Sequence, residues 1–300
     1  MQDKMRILVA TDTSDWAEKA ENRGASLTKS LPDAEMLLVN IQEKGGLDIF
    51  ASLMSYSVMI AQDTIREETE KVLIQTATKL AEENAITVTP VIRFGNAAEE
   101  IQALAEEKRA SILVMGAHGQ GYHSMPIIGN IPAKLIQGSP CPVLIVRDGS
   151  NTPYRRILIP IDFSEVSINQ VLKSLPFLQN DAEIILMNVC ETPSASRLRF
   201  ANVTVEMLEN YRKKVQNDAL EKINELIESL DSKRKFKAHV ETGIPHEAIL
   251  KYIKTAEIDL LILGKQPRNR LQDYLVGSTV HYAINEAECD VLITPTGDIN

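Results

Sequence analysis

The chain is short of what many binding chemistries depend on. It carries three cysteines in 300 residues, Cys141, Cys190 and Cys289, with no CxxC pair among them. So sparse and odd a set excludes a disulfide framework and reads as reduced, buried thiols in a cytosolic chain. Aromatics are only 5%, too few for the stacking platforms that single-stranded nucleic acid needs. Basic residues are outnumbered as well, 32 Lys and Arg against 41 Asp and Glu. The deficit holds in both halves: 14 against 20 in residues 1–149, and 18 against 21 in residues 150–300. Polyanions are held by clustered Lys and Arg, so the charge argues against nucleic acid and anionic lipid as partners. Long hydrophobic runs are missing too. The longest charge-free apolar-rich stretch, 49–62, is too short and too serine-rich to cross a bilayer, and MQDKMRILVATDTSD does not read as a signal peptide. With 14 Gly, 13 Pro and 44% hydrophobic residues, the composition is that of a globular chain. The expectation is a cytoplasmic protein without a membrane span.

What is present is a repeat. RRILIPIDFSE (155–165) restates MRILVATDTSD (5–15), and Asp162 stands 150 residues after Asp12. LLVNI (37–41) returns as ILMNV (185–189), ILVMG (112–116) as LLILG (260–264), Gly95 as Gly243 and Gly129 as Gly277, each at an offset of 148. Such register marks a duplicated domain, with copies over 1–148 and 149–300 joined near RDGSNTP (147–153), a turn-rich linker.

Within the first copy, apolar runs at 6–11, 36–41, 87–93, 111–115 and 142–146 alternate with helical patterns near 15–30, 62–84, 97–108 and 130–138. The second copy repeats the runs near 156–161, 183–189, 236–241, 259–263 and 290–294. The runs read as parallel strands buried on both faces. Alternation with helices makes each copy a doubly wound α/β domain with a five-stranded parallel, Rossmann-like sheet.

Open parallel sheets bind ligands beyond the carboxyl ends of their strands. The residues after the runs therefore carry the functional reading. Asp12 and Asp162 end the first strand of each copy, and Ser14 and Ser164 follow at helix starts. The serines read as helix caps; the carboxylates could accept hydrogen bonds from a ligand amine or hydroxyl. After the fourth strand comes GAHGQGYHSMPIIGN, in which Gly116, Gly119 and Gly129 follow G-x-x-G-(nine)-G, with Asn130 at the cap of the next helix. Glycines let backbone approach an anion, and a helix N-terminus favours it. Glycine spacing alone leaves a phosphate loop and an ordinary surface loop evenly matched. The order of glycines is wrong for a dinucleotide fingerprint, and neither a P-loop nor a nucleophile elbow is present.

Taken together, the repeat, the strand-end Asp and the glycine loop resemble the universal stress protein family, in tandem form. The resemblance implies an adenine-nucleotide-binding regulator of the stress response without strong catalysis. ATP or AMP would be the ligand, with Mg²⁺ accompanying ATP. By position, Ala10, Asp12 and Ile41 would line the adenosine pocket, and Met115, Gly116, Gly119, Gly129, Asn130 and Ile131 the phosphate side. The second copy offers Pro160, Asp162, Val189, Leu263, Gly264, Gly277 and Ser278. There Pro267 replaces the middle glycine and removes an N–H, so the first copy is expected to be the main site. The family's pairing through last strands implies an intramolecular pseudo-dimer, with Val143–Val146 and Val291–Ile293 as the facing edges; a further homodimer and a protein partner stay open. Two alternatives remain: a nucleotide-independent interaction scaffold, and a slow ATP hydrolase.

Other residues take plainer readings. His118 and His123 read as exposed loop histidines rather than metal ligands, because no third ligand is apparent. Trp16 reads as a packing residue, and Cys190 and Cys289 as core thiols. Residues 47–61, rich in apolar side chains, read either as the start of a helix with packing surface, or as a lid over the first pocket or a partner-binding patch.

Overall fold

The computed structural model describes residues 4–42, 58–119, 128–191, 204–230, 233–265 and 278–295, with no account of the side chains of 58–65 and 278. Positions 43–57, 120–127 and 266–277 lie outside these, and with them most of the apolar 47–61 segment, His123, Pro267 and Gly277. The chain divides into two compact units, the first running through Pro153 and the second starting at Tyr154.

The first unit runs β1 (Arg6–Ala10), α1 (Asp15–Ser30), β2 (Glu35–Gln42), α2 (Val58–Asn84), β3 (Val88–Phe94), α3 (Ala97–Glu107), β4 (Ile112–Gly116), α4 (Asn130–Gly138) and β5 (Val143–Val146). Its strands lie in the order β3-β2-β1-β4-β5, every neighbour parallel. Strand order therefore reverses between β1 and β4, where a ligand crevice belongs in a doubly wound sheet.

The second unit repeats the plan with β6 (Arg156–Pro160), α5 (Glu165–Ser174), β7 (Glu183–Cys190), α6 (Val205–Ser229), β8 (Lys235–Thr242), α7 (Pro245–Thr255), β9 (Leu260–Gly264), α8 (Ser278–Glu286) and β10 (Asp290–Thr294). Its order is β8-β7-β6-β9-β10, again all parallel.

The central strands are buried on both faces, as their unbroken aliphatic runs require: Ile7, Leu8, Val9, Leu113 and Val114 in one unit, Ile157, Leu158, Leu261 and Ile262 in the other. The runs at 87–93 and 236–241 are different. They form the edge strands β3 and β8, which are largely half-buried, with some residues exposed. The sequence carries the reason: Pro90 gives β3 no donor at that position, and Lys235 and Lys237 of β8 are exposed, a charged edge that resists stray pairing. All three cysteines are buried thiols.

Both first helices begin with the same device. Ser14 and Ser164 are the N-caps, accepting from the N–H of Ala17 and of Ser167 at 3.2 Å each. The residue between Asp and Ser is left-handed in both copies, Thr13 at φ 64° and Phe163 at φ 61°, a conformation that costs a non-glycine residue about 1 kcal/mol or more. Replacing Ser164 by Ala should lower stability by about 1 kcal/mol, as a shift of the urea midpoint at constant slope. An unchanged midpoint would show that the cap contributes nothing.

Candidate functional site

The aspartates do not sit at the last position of the strands. β1 ends at Ala10 and β6 at Pro160. The ladder then carries one further bond, Thr11 N–H to Val39 O at 2.9 Å and Ile161 N–H to Met187 O at 2.8 Å. Asp12 and Asp162 come next, inside the tight turn. Oδ1 of Asp12 accepts from the N–H of Ser14 at 3.1 Å and from its hydroxyl at 2.6 Å. Asp162 repeats this with Ser164 at 3.0 and 2.5 Å. Burial pulls the Asp162 carboxyl upward, but the hydrogen bonds from Ser164 and Ser167 outweigh it and hold it below its ordinary value. It is an acceptor at neutral pH.

In the first unit a cavity of about 210 Å³ opens at the strand reversal. Ala10, Asp12, Ile41, Met115, Gly116, Gly119 and Ile131, expected there from sequence, all line it. Gly129 and Asn130 do not line it; they begin the helix on its rim. Asn130 is not the cap. Gly129 holds that position without a side-chain hydrogen bond, and Asn130 is the first, exposed residue of α4. Pro132, two residues on, also lines the cavity and has no N–H, so the first turn offers the amides of Asn130 and Ile131.

The glycines serve unequal ends. A Cβ on Gly116 would lie 2.7 Å from the carbonyl oxygen of Trp16, so this glycine lets the first turn of α1 close onto β4. A Cβ on Gly119 would lie 2.6 Å from Asp12 Oδ2, so here backbone lies against the carboxylate itself. At Gly129 the nearest atom would be Pro132 Cδ at 3.6 Å, an ordinary contact. Gly129→Ala should therefore melt as the parent does, within about 0.5 kcal/mol. A clear loss of stability would mean that this glycine is required by the fold.

Besides Ala17, Val39 and Pro132, sequence reasoning missed three parts of the wall. His118 is buried, not exposed; its ring meets that of Trp16 edge-on at 4.9 Å, and burial, aided by the Arg147 charge, lowers its pKa. Helix α3 adds Ala97 and Ile101. The third part is Thr11, which lines the cavity and is bonded behind it to Glu21 on α1. For α3 a signal existed: the matched glycines Gly95 and Gly243, with φ of 152° and 142°, turn the chain from an edge strand into the helix beside the cavity. Trp16, as expected, packs, with Lys19 Nζ 4.4 Å above its ring.

The second unit has a cavity of about 540 Å³ at the equivalent place. Pro160, Asp162, Val189, Leu263 and Gly264 line it, and Ser278 begins the helix that brings Thr279 and Val280 to its edge. Its floor is more polar. Ser167 and Gln170 stand where the first unit has Ala17 and Ala20, and Gln170 Nε2 donates to Ile262 O at 2.7 Å. His246, at the start of α7, stacks flat on Tyr282 at 4.0 Å and 7°. Among the described residues, no group of three His, Cys, Asp or Glu could hold a metal ion, and no helix is long and apolar enough to cross a membrane.

Comparison with known proteins points to one family. A family model described as the universal stress protein family matches residues 5–147 and again 153–295. Universal stress protein YxiE of Bacillus subtilis is 30% identical over 148 residues, which is 47% of this chain and 98% of that protein. Universal stress protein MJ0577 of Methanocaldococcus jannaschii is 30% identical over 153 residues, 47% of this chain and 94% of its own. A crystal structure of a universal stress protein from Archaeoglobus fulgidus covers 98% of this chain and 100% of that one, with a TM-score of 0.74 and 19% identity, a likeness of fold.

Proposed function

Because this chain belongs to the universal stress protein family through both of its halves, we propose that it is a stress-response regulator that binds an adenine nucleotide, ATP or AMP, mainly in the first unit and without strong catalysis. The observation that carries the reading is the first cavity. Asp12 and, from the first turn of α4, Ile131 and Pro132 line it together, with Gly119 backbone against the carboxylate.

The chemistry of the wall suits the parts of the ligand. Ala10, Val39, Ile41 and Ile101 are apolar and fit a planar base, while Asp12 accepts from a ribose hydroxyl or an exocyclic amine. At about 210 Å³ the space is smaller than the roughly 300–1,000 Å³ of pockets that enclose whole drug-sized ligands. Base and sugar would enter it, and the phosphates would meet the amides and dipole of α4 at the rim. In an acidic unit the phosphates would rest on backbone more than on lysines. Mg²⁺ would arrive on the phosphates of ATP.

The molecule carries its own reporter. Trp16 is the single tryptophan of the chain, and it touches the cavity residue His118. Titration with ATP or AMP should change its fluorescence saturably, whereas inorganic triphosphate should not compete well. A flat signal with ATP, ADP and AMP removes the reading. The scaffold alternative draws on one observation, the purely structural explanation of Gly116. It is favoured if protein partners are retained in a Gly119→Val variant that no longer responds to nucleotide.

A further inference from the structure

Behind the cavity wall lies a buried polar pair. Glu21 is 7% exposed and Thr11 6%. The Thr11 hydroxyl donates to Glu21 Oε1 at 2.5 Å, and its oxygen accepts the N–H of Thr13 at 3.1 Å. Asn40 Nδ2 holds the Thr11 carbonyl at 2.8 Å. Glu21 is thus one bond removed from the turn that carries Asp12.

The second unit supplies the comparison. At the positions of Thr11 and Glu21 it has Ile161 and Val171, both buried. Its turn is otherwise the same, with the same left-handed residue, the same Asp–Ser bonds, and Asn188 Nδ2 on the Ile161 carbonyl at 2.8 Å. The polar pair is therefore not needed to build the turn. A buried carboxyl costs stability where aliphatic packing does not. What distinguishes the first unit is that its turn is wired to a titratable group.

We propose that Glu21 makes ligand binding in the first unit respond to pH through the Asp12 turn: neutral, it leaves Asp12 as the one charge beside the cavity, and once ionised it sets a second negative charge behind Asp12 and weakens binding. The second unit has no such response. This inference rests on the nucleotide reading of the first cavity. Burial raises the Glu21 pKa, while the Thr11 bond lowers it in part. The charged groups whose fields reach it are Glu18 on its own helix, Asp12 in the turn and Lys79 on α2; the first two raise it further and Lys79 opposes them. Ionisation thus places a second negative charge behind Asp12, unfavourable to an anionic ligand and to the buried site alike.

Because the folded pKa lies above the unfolded one, the proton is bound more tightly in the native state. The stability that it confers is complete below the unfolded value and is lost as pH rises through the folded value.

The test uses the full chain, Glu21→Gln, and the double variant Thr11→Ile/Glu21→Val, which copies the second unit. Melting without ligand and Trp16 fluorescence titration with ATP are followed from about pH 4 to 8.5, a window that opens at the ordinary carboxylate value and extends well above it. The parent should lose stability relative to both variants as pH rises. Its ATP affinity relative to Glu21→Gln should fall about fivefold across the window, a screened interaction between two charges in one site; the ratio also cancels titration of ATP itself. Parallel melting profiles for parent and variants overturn the proposal. Diverging melts with a constant affinity ratio overturn the link to binding and leave Glu21 a structural residue. Diverging melts with no ATP response in any protein overturn the nucleotide reading, and the binding proposal with it.

Discussion

Asp12→Asn is expected to weaken adenine-nucleotide binding in the first unit by roughly 10- to 100-fold. The magnitude follows from hydrogen bonds to a charged group, worth about 1.5–3 kcal/mol each, at tenfold per 1.4 kcal/mol. Asparagine keeps the shape and an acceptor oxygen for the N–H and hydroxyl of Ser14, which Asp12 receives at 3.1 and 2.6 Å, so the turn should survive. The substitution removes charge and half of the acceptor capacity. Trp16 fluorescence reads the first unit, and Asp162→Asn should leave that titration unchanged. Equal affinity in Asp12→Asn and parent would mean that the carboxylate serves only the turn.

The second large effect is on stability. Gly116→Val would set a branched side chain against the Trp16 backbone, where even a bare Cβ falls 2.7 Å from the carbonyl oxygen and 3.0 Å from Trp16 Cβ. Backbone at a helix start cannot rotate away as a side chain can. The first turn of α1 would have to leave β4, carrying Ser14 and the Asp12 turn with it. The cost should reach about 3 kcal/mol, the upper part of the usual overpacking range, or a fall in Tm of about 2–4 °C per kcal/mol. A parent-like melt would contradict the close approach of α1 and β4. Gly129→Ala is the better probe of ligand binding, because its loss would not be confounded by unfolding.

The difference between these two glycines explains how far the sequence could be read. Strand and helix order were legible because central parallel strands must be continuous aliphatic runs, and the repeat allowed each assignment to be checked against its copy. The edge strands were harder. β3 and β8 are covered incompletely, so Thr89, Pro90, Lys235 and Lys237 interrupt a pattern that ILVMG of β4 keeps. The cavity wall was legible at the strand ends and at Gly119, although Asp12 lies in the turn after β1 and not on the strand. It was opaque where residues distant in sequence converge. Nothing local to Gly116 announces Trp16, and His118 reads as a loop residue until the ring beneath it is seen. Nor does the spacing of Thr11 and Glu21 reveal that the pair is buried together, since ten residues apart the two meet only when α1 folds back over β1.

The central claim is that the cavity at the β1/β4 reversal holds an adenine nucleotide. Equilibrium dialysis of the full chain against ATP, with Asp12→Asn and Asp162→Asn alongside, tests it most directly. The account predicts saturable retention of ATP by the parent, most of it lost in Asp12→Asn and most of it kept in Asp162→Asn. No retention of ATP, ADP or AMP above the buffer level, or retention that Asp12→Asn leaves intact, would contradict it.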